Sequence, residues 1–159
     1  MDNQILSKLD AMKVPYRWLD HPPVFTVAES LAVIQKSTPI KNLLLVDKAG
    51  KTFLVIMAGM ERLDTKALAT RLGSRKLQFA DADLLMSTLG VTPGSVSLFS
   101  LLHDGAADVT TVIDQNLVQS GVELGFHPNR NTATIFFDGE HLEPLINGLG
   151  RSYVVASLY

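Results

Sequence analysis

The chain contains no cysteine among its 159 residues. That absence excludes a disulfide framework, thiolate catalysis and a cysteine-ligated zinc site. It suits a reducing compartment, and we therefore expect a cytoplasmic location. Long apolar runs are also missing, since the longest, residues 43–46 and 53–58, are far too short to span a bilayer. Polar residues rather than a basic and then an apolar segment follow Met1, so we expect no signal peptide and no membrane partner.

The chain also lacks a charge excess, because 14 basic and 16 acidic residues give a formal net charge of −2. A protein that coats a long nucleic acid usually needs a strong positive excess, since its affinity comes from displacing counterions at phosphates. The balance therefore disfavours DNA binding and favours contact with only the end of a nucleic acid. A composition of 47% hydrophobic and 19% charged residues is typical of a globular protein. We expect a single domain over residues 1–159.

The motifs of several common hydrolases are missing. The histidines at positions 21, 103, 127 and 141 show no ligand spacing, and there is no His-Glu-x-x-His motif. A Gly-x-Ser-x-Gly nucleophile motif is absent as well. Asp81 and Asp83 are interpreted as helix-start residues rather than as a catalytic pair. We accordingly expect no metal and no other cofactor.

Apolar spacing, capping residues and turn residues predict an α/β fold. Helices are expected over residues 3–13, 26–35, 64–72, 81–89 and 140–149. Strands are expected over residues 40–47, 51–58, 95–102, 109–118, 132–137 and 154–158, with a polar stretch before residue 132. The first two strands should form a hairpin that is covered on both faces, because both are nearly continuous in apolar residues. Pro144 argues against the last helix unless it falls in the first turn.

Lys41 and Asn42 do not fit a purely structural interpretation, because they directly precede three leucines of a predicted buried strand. A lysine there must either extend to water or meet an anion. The alternative is an ordinary lysine at the end of a strand.

Residues 90–97, Gly-Val-Thr-Pro-Gly-Ser-Val-Ser, form a second unusual segment. Two glycines and a proline predict a rigid turn whose backbone can approach a ligand closely. Its carbonyls could receive an ammonium group, and its amides could receive a carboxylate or phosphate. It lacks the Gly-Lys-Ser/Thr ending of a phosphate-binding loop. An ordinary connecting turn is the alternative.

Residues 126–131, Phe-His-Pro-Asn-Arg-Asn, form a third such segment directly before a predicted strand. Its histidine, asparagines and arginine have the donors and acceptors to position water, ribose hydroxyls or phosphate oxygens. A solvated hairpin loop is the alternative. One basic cluster is also present, which is either the solvated face of a helix or a contact for a phosphate backbone. It consists of Arg62, Lys66, Arg71, Arg75 and Lys76.

Five short motifs, in this order and at this spacing, resemble the YbaK/ProX superfamily of aminoacyl-tRNA deacylases. They are His-Pro-Pro-Val-Phe-Thr at 21–26, Lys-Asn-Leu-Leu-Leu at 41–45, Arg-Leu-Asp-Thr-Lys-Ala-Leu at 62–68, Leu-Gly-Val-Thr-Pro-Gly-Ser-Val-Ser at 89–97 and Phe-His-Pro-Asn-Arg-Asn-Thr-Ala-Thr at 126–134. The resemblance covers about residues 5–157 and extends to the editing domain of bacterial prolyl-tRNA synthetase. It is strongest to the free-standing branch that clears alanine from tRNA specific for proline.

The resemblance implies a mixed, partly barrel-like sheet surrounded by helices, and ester hydrolysis without a metal. Lys41 would bind the terminal phosphate or ribose, Asn42 and His127 would orient substrate or water, and a ribose hydroxyl of the tRNA would assist. The substrate-binding residues would be Thr26, Gly90, Pro93, Gly94, Ser95 and Asn129. Val24 and Met57 are candidates for the pocket wall, and the basic cluster is a candidate tRNA contact. One departure is Leu98, where the family usually has proline, which puts the shape of the loop in question.

Other functions stay open at this point. A related enzyme could clear cysteine or another small residue, because a methylene-sized difference is worth only about 1–3 kcal/mol of discrimination. A non-catalytic module could bind the end of aminoacyl-tRNA or a synthetase, and prolyl-tRNA synthetase is a candidate partner. A small-metabolite binding domain would need no tRNA. The expected partner is the acceptor end of a mischarged tRNA.

Overall fold

The computed structural model describes residues 2–23 and 38–158. Within these residues the α-helices are α1 (Asp2–Ala11), α2 (Thr65–Leu72), α3 (Ala82–Leu89) and α4 (Leu142–Gly148). The strands are β1 (Arg17–Asp20), β2 (Ile40–Val46), β3 (Thr52–Ala58), β4 (Gln78–Phe79), β5 (Thr110–Asp114), β6 (Glu123–Phe126), β7 (Ala133–Asp138) and β8 (Ser152–Ala156). The helix expected over residues 26–35 lies outside the described residues.

The described strands form two sheets rather than one closed barrel. Three antiparallel strands form the smaller sheet in the order β1-β7-β6, and five form the larger sheet in the order β4-β2-β3-β5-β8. The larger sheet is mixed, because β2 pairs antiparallel with β3 and β4, whereas β5 pairs parallel with β3 and β8. The α/β class expected from the sequence is confirmed.

The central strand of the larger sheet, β3, is buried on both faces, as its apolar run predicted, whereas β2 is fully buried only at Leu44 and Leu45. In β3, all residues from Phe53 to Met57 are buried. Leu54 and Ile56 belong to the larger core cluster, together with residues of α1, α3, α4 and the smaller sheet. Phe53, Val55 and Met57 belong to a second cluster with Leu68 and Ala69 of α2. The molecule is therefore layered, with α2 on one face of the larger sheet and the other elements on the opposite face.

The two predicted helices with clear end signals are confirmed within a residue. Asp64 and Asp81 are the N-caps of α2 and α3, and their side chains accept hydrogen bonds from the amides of Ala67 and Leu84. Gly73 and Gly90 end these helices in the left-handed conformation, with φ of 66° and 68°.

Three expectations from the sequence are corrected. The expected strand over 95–102 is instead a 3-10 helix, Leu98–Leu102, because Ser97 and Ser100 form a reciprocal cap that satisfies the local backbone. The expected strand over 109–118 ends at Asp114, whose side chain accepts from the amide of Asn116 and starts a short 3-10 turn. The polar stretch before residue 132 contains β6, which the sequence reading missed.

Two of the remaining expectations are confirmed. Pro144 falls in the first turn of α4, where a missing amide hydrogen costs little. β8 is an edge strand of the larger sheet. Within the described residues, no helix combines the length and apolar character needed to cross a membrane.

Candidate active site

Lys41 and Asn42 lie at the start of β2, opposite Met57 and Ile56 of β3. Because side chains alternate along a strand, Asn42 shares the face of Leu44, which belongs to the larger core cluster. Lys41 lies on the opposite face, which carries α2. Its Nζ donates a hydrogen bond of 2.9 Å to the carbonyl oxygen of Glu61, just before α2. The lysine is half-buried, and that bond is exposed.

Asn42 has an unsatisfied polar atom. Its Oδ1 is buried and has no hydrogen-bond partner among residues 2–23 and 38–158. Buried side-chain oxygens nearly always have a partner, so this atom needs an explanation. An incoming hydroxyl, amide or water could supply the missing donor.

The glycine turn between α3 and the 3-10 helix is shaped by its backbone. Gly90 and Gly94 adopt φ of 68° and 91°, and the amide of Ser95 donates to the carbonyl of Thr92 at 3.1 Å. Pro93 and Gly94 are exposed, whereas Ser95 is buried. The turn therefore presents its backbone to solvent while its end is fixed in the protein.

The His103 ring packs directly against Gly90 at the start of this turn. A Cβ atom at Gly90 would lie only 2.5 Å from Cδ2 and 2.9 Å from Nε2 of His103. Arg151 in turn donates to the carbonyls of Leu101 and His103 at 3.0 and 3.4 Å. Glycine is thus required at position 90 for two reasons, its positive φ and the contact with the imidazole.

Leu98, the residue that departs from the family pattern, is the first residue of the 3-10 helix and is fully buried. Proline is well suited to a first helical position because its φ is preset for a helix. Here the cap formed by Ser97 and Ser100 starts the helix, and the leucine side chain joins the larger core cluster.

His127 follows β6, and its ring is held in one tautomer. Nδ1 donates a hydrogen bond of 2.9 Å to the carbonyl oxygen of Ala133, which can only accept. In the neutral ring Nε2 is therefore left as an acceptor. Burial lowers the pKa of His127 below its ordinary value of 6.5; the bond to Ala133 opposes this shift, and the charge of His21 adds to it. The imidazole is consequently neutral at pH 7.

His21 lies beside His127, with a distance of 5.9 Å between the ring centroids. Its Nδ1 donates to the carbonyl of Pro22 at 2.8 Å, and its Nε2 lies 2.7 Å from Oγ1 of Thr134. Both imidazoles thus border the start of β7. The sequence predicted His21 only as part of a motif and not as a residue of the site. Its signal was the His-Pro-Pro sequence directly after a short extended segment.

Asn129 connects the histidine loop to the glycine turn. Its Oδ1 accepts from Oγ of Ser100 at 2.8 Å, and its Nδ2 donates to the carbonyl of Phe99 at 3.2 Å. Ser100 Oγ also accepts from the amide of Ser97 at 3.1 Å. Asn129 has a positive φ of 62°, which asparagine tolerates better than most residues. In this structure the Asn129 amide is a brace between the two loops.

The start of β2 runs beside the end of β6. Thr38 and Leu124 form an isolated parallel bridge, and the amide of Thr38 donates to the carbonyl of Glu123 at 3.0 Å. Lys41 and His127 each lie three residues beyond that bridge, so the start of β2 lies near the residues that follow β6. The main-chain path thus brings the two segments together, although the Lys41 side chain itself bonds to the carbonyl of Glu61.

The remaining residues expected at the site are Thr26, the pocket-wall candidates and the basic cluster. Thr26 and Val24 lie outside the described residues. Met57 is fully buried in the second core cluster, on the α2 face of the sheet. The residues of the basic cluster are exposed on α2, before it and in the loop after it, and they are Arg62, Lys66, Arg71, Arg75 and Lys76. Among residues 2–23 and 38–158, no group of three His, Cys, Asp or Glu side chains could hold a metal ion.

Comparison with known proteins identifies relatives over nearly the whole length. The profile of the aminoacyl-tRNA editing domain family matches residues 21–145. The prolyl-tRNA editing protein ProX of Acetoanaerobium sticklandii is 35% identical over 157 residues, which cover 97% of this chain and 95% of that protein. The prolyl-tRNA synthetase associated domain-containing protein 1 of Danio rerio is 33% identical over 130 residues, which cover 80% of this chain and 71% of that protein.

Solved structures show the same fold. A candidate trans-editing enzyme for prolyl-tRNA synthetase superposes with a TM-score of 0.74 at 18% identity, covering 98% of this chain and 94% of that one. A hypothetical protein of known structure superposes with a TM-score of 0.78 at 23% identity, covering 98% of each chain.

Proposed function

This chain belongs to the aminoacyl-tRNA editing domain family, and from that premise we propose that it removes alanine from mischarged tRNA specific for proline. The coarser statement, that it is a tRNA deacylase acting in trans on products of prolyl-tRNA synthetase, follows from its similarity to ProX over nearly the full length. The amino acid removed and the chemistry described below are the finer proposal.

The observation that carries the proposal is the hydrogen-bonded unit formed by the glycine turn and the histidine loop. Ser97, Ser100 and Asn129 join the two segments by side-chain bonds of 2.8 to 3.1 Å. A rigid turn with an exposed backbone is thereby fixed relative to a neutral imidazole. Ester hydrolysis needs this kind of preorganised binding and orientation.

Each polar group has a role in the proposed chemistry. The Nζ of Lys41 attracts the terminal phosphate or the ribose end of the tRNA, exchanging its bond to the Glu61 carbonyl for one to the substrate. The free Oδ1 of Asn42 and Nε2 of His127 accept hydrogen bonds from water or ribose hydroxyls. The carbonyls of the Gly90–Ser95 turn receive the ammonium of the amino acid.

In this proposal a vicinal ribose hydroxyl of the tRNA transfers the proton during hydrolysis. Water attacks the ester carbon, the bond to the ribose oxygen breaks, and that oxygen leaves with a proton as the carboxylic acid is released. No described side chain in the site is an ionised carboxylate placed as a general base. We therefore assign proton transfer to the substrate hydroxyl, with the neutral His127 as an orienting acceptor.

Specificity for alanine over proline would be steric, because forcing a larger side chain into a packed pocket is costly. Serine or glycine esters would be rejected less well, since small differences in side-chain size give little discrimination. Clearance of cysteine is the alternative within the same class. A binding module without turnover is the alternative outside it.

The decisive experiment compares hydrolysis of alanyl-, cysteinyl- and prolyl-tRNA, all on tRNA specific for proline. We expect alanyl-tRNA to be cleaved, prolyl-tRNA to be spared, and Lys41→Ala to lower kcat/KM about a hundredfold because a substrate-binding charge is lost. Lys8→Ala, at an exposed lysine of α1, is the matched control. Saturable binding without release of any amino acid would refute the hydrolase proposal, and wild-type rates in Lys41→Ala would refute the role of that lysine.

A further inference from the structure

Positive charge is concentrated in residues 41–76. This segment contains eight of the 14 basic residues and only three of the 16 acidic residues, so the rest of the chain is strongly negative. We call the side of the molecule that these eight residues occupy the basic face. It consists of Lys41, Lys48, Lys51, Arg62, Lys66, Arg71, Arg75 and Lys76.

No ion pair among the described residues neutralises the positive charge of the basic face. The ion pairs within the described residues use Arg17, Arg130 and His141 instead. Two of the three carboxylates in the segment are occupied by backbone amides. Asp47 accepts from Ala49 and Lys51 at 2.9 Å, and Asp64 caps α2.

The basic face is continuous. Near the start of β2, Lys41 Nζ bonds to the carbonyl of Glu61, next to Arg62. At the other end of the β2–β3 hairpin, the amide of Lys48 donates to the carbonyl of Arg75 at 3.3 Å. Seven residues of β2 separate the two ends by about 20 Å, at roughly 3.3 Å per residue. The face thus forms a track that begins at the proposed substrate lysine and follows α2 and the hairpin away from it.

Two grooves border this track. One, of about 360 Å³, lies between α2 and the residues after β8, lined by Asp64 and Arg71 as well as by Leu68 and Leu158, and a second of about 370 Å³ adjoins Arg62 and Lys66. The residues that α2 exposes are Lys66, Ala67, Thr70 and Arg71, and none of them is large and apolar. A protein interface usually has a large apolar or aromatic centre. Phosphates, in contrast, need only spaced cations.

We propose that the basic face binds the phosphate backbone of the tRNA acceptor stem, while the 3′ end enters the site at Lys41. This inference rests on the proposed function, because it takes the aminoacyl ester to lie near Lys41. It explains how a chain with a net charge of −2 holds a polyanion: the cations are gathered on one side, and the contact is local.

The test removes two charges at the end of the track farthest from Lys41. The double variant Lys48→Gln/Arg75→Gln is compared with Lys8→Gln/Lys13→Gln, which removes two exposed charges near α1. Binding of deacylated tRNA specific for proline is measured between 50 and 200 mM salt, roughly the range over which phosphate contacts are lost. Hydrolysis of full-length alanyl-tRNA and of alanine esterified to a short CCA-ended oligonucleotide is measured in parallel.

We expect the Lys48/Arg75 variant to bind tRNA about three- to tenfold more weakly at low salt. Its slope of log affinity against log salt concentration should become shallower by about two, one for each lost phosphate contact. Its KM should rise for full-length tRNA and not for the short substrate, and the control variant should match the wild type.

Equal effects of the two double variants, or none, would overturn the proposal. Loss of binding to prolyl-tRNA synthetase with tRNA binding intact would assign the face to a protein partner and overturn it as well. If the wild type hydrolysed neither substrate yet bound tRNA with the expected charge dependence, the hydrolase proposal would fail while the basic face stood.

Discussion

At the scale of single residues, the site depends on polar atoms whose partners are fixed by the fold. His127 is neutral because its ring is largely buried, and the hydrogen bond that its Nδ1 donates to the carbonyl oxygen of Ala133 fixes the tautomer. Asn42 holds a buried oxygen without a donor. Asn129, in contrast, uses both ends of its amide inside the protein and acts as a brace.

The lowered pKa of His127 gives a prediction about pH. We expect an NMR titration to place its pKa below 6.5, and deacylation to persist into mildly acidic buffer until the ring is protonated. The folded protein binds this proton less tightly than the unfolded chain, so stability falls as the pH drops from 6.5 through the lowered pKa.

The variant His127→Gln cannot take up that proton. Below pH 6.5 its free energy of unfolding should therefore fall less steeply than that of the wild type, as measured by urea denaturation at several pH values. Parallel curves for the two proteins, or a pKa above 6.5, would contradict the assignment.

At the scale of elements, glycine ends two helices, and the two glycines differ in what surrounds them. Gly73 and Gly90 end α2 and α3 with nearly equal positive φ. A Cβ atom at Gly73 would meet nothing within 4 Å, whereas one at Gly90 would collide with the His103 ring. The second helix end is therefore part of the glycine turn as well as a cap.

The two glycines form a matched pair for mutation. Gly73→Ala should cost about 1–2 kcal/mol, because alanine in the left-handed conformation is strained. Gly90→Ala should cost more and should also lower kcat, because the imidazole or the turn must move. Thermal unfolding and single-turnover deacylation measure the two effects, and equal losses of stability with unchanged kcat in both variants would show that the His103 contact does not position the turn.

At the scale of the whole molecule, the larger sheet separates two environments. The face packed against α2 carries the second core cluster and borders the basic face. The opposite face packs against the smaller sheet and against the segments that carry the glycine turn and the histidine loop, whereas Lys41 lies on the α2 face. The sheet is thus the scaffold that both surfaces share.

Leu54 tests that scaffold, because it is fully buried on the central strand β3. Leu54→Ala should lower the free energy of unfolding by about 2–5 kcal/mol, the usual cost of a lost leucine in a core. Leu63→Ala, at a partly buried position before α2, should cost clearly less. Chemical denaturation checks both values, and similar losses would show that the packing around β3 is looser than the structure indicates.

The sequence by itself determined the elements whose signals are local. Asp64 with Gly73, and Asp81 with Gly90, predicted two helices, since caps satisfy backbone groups of their own helix. The β2–β3 hairpin followed from two apolar runs around a turn at Gly50. The order and spacing of five motifs predicted the family, and these motifs lie at residues 21–26, 41–45, 62–68, 89–97 and 126–134.

Tertiary structure decided what depends on distant partners. The segment 98–102 is apolar enough for a strand, and the distant Asn129 braces it as a 3-10 helix through bonds to Ser100 and Phe99. The bridge between Thr38 and Leu124 brings β2 beside β6, and no local pattern encodes that pairing. The tautomer of His127 likewise depends on Ala133, a contact that exists only once β6 and β7 have paired.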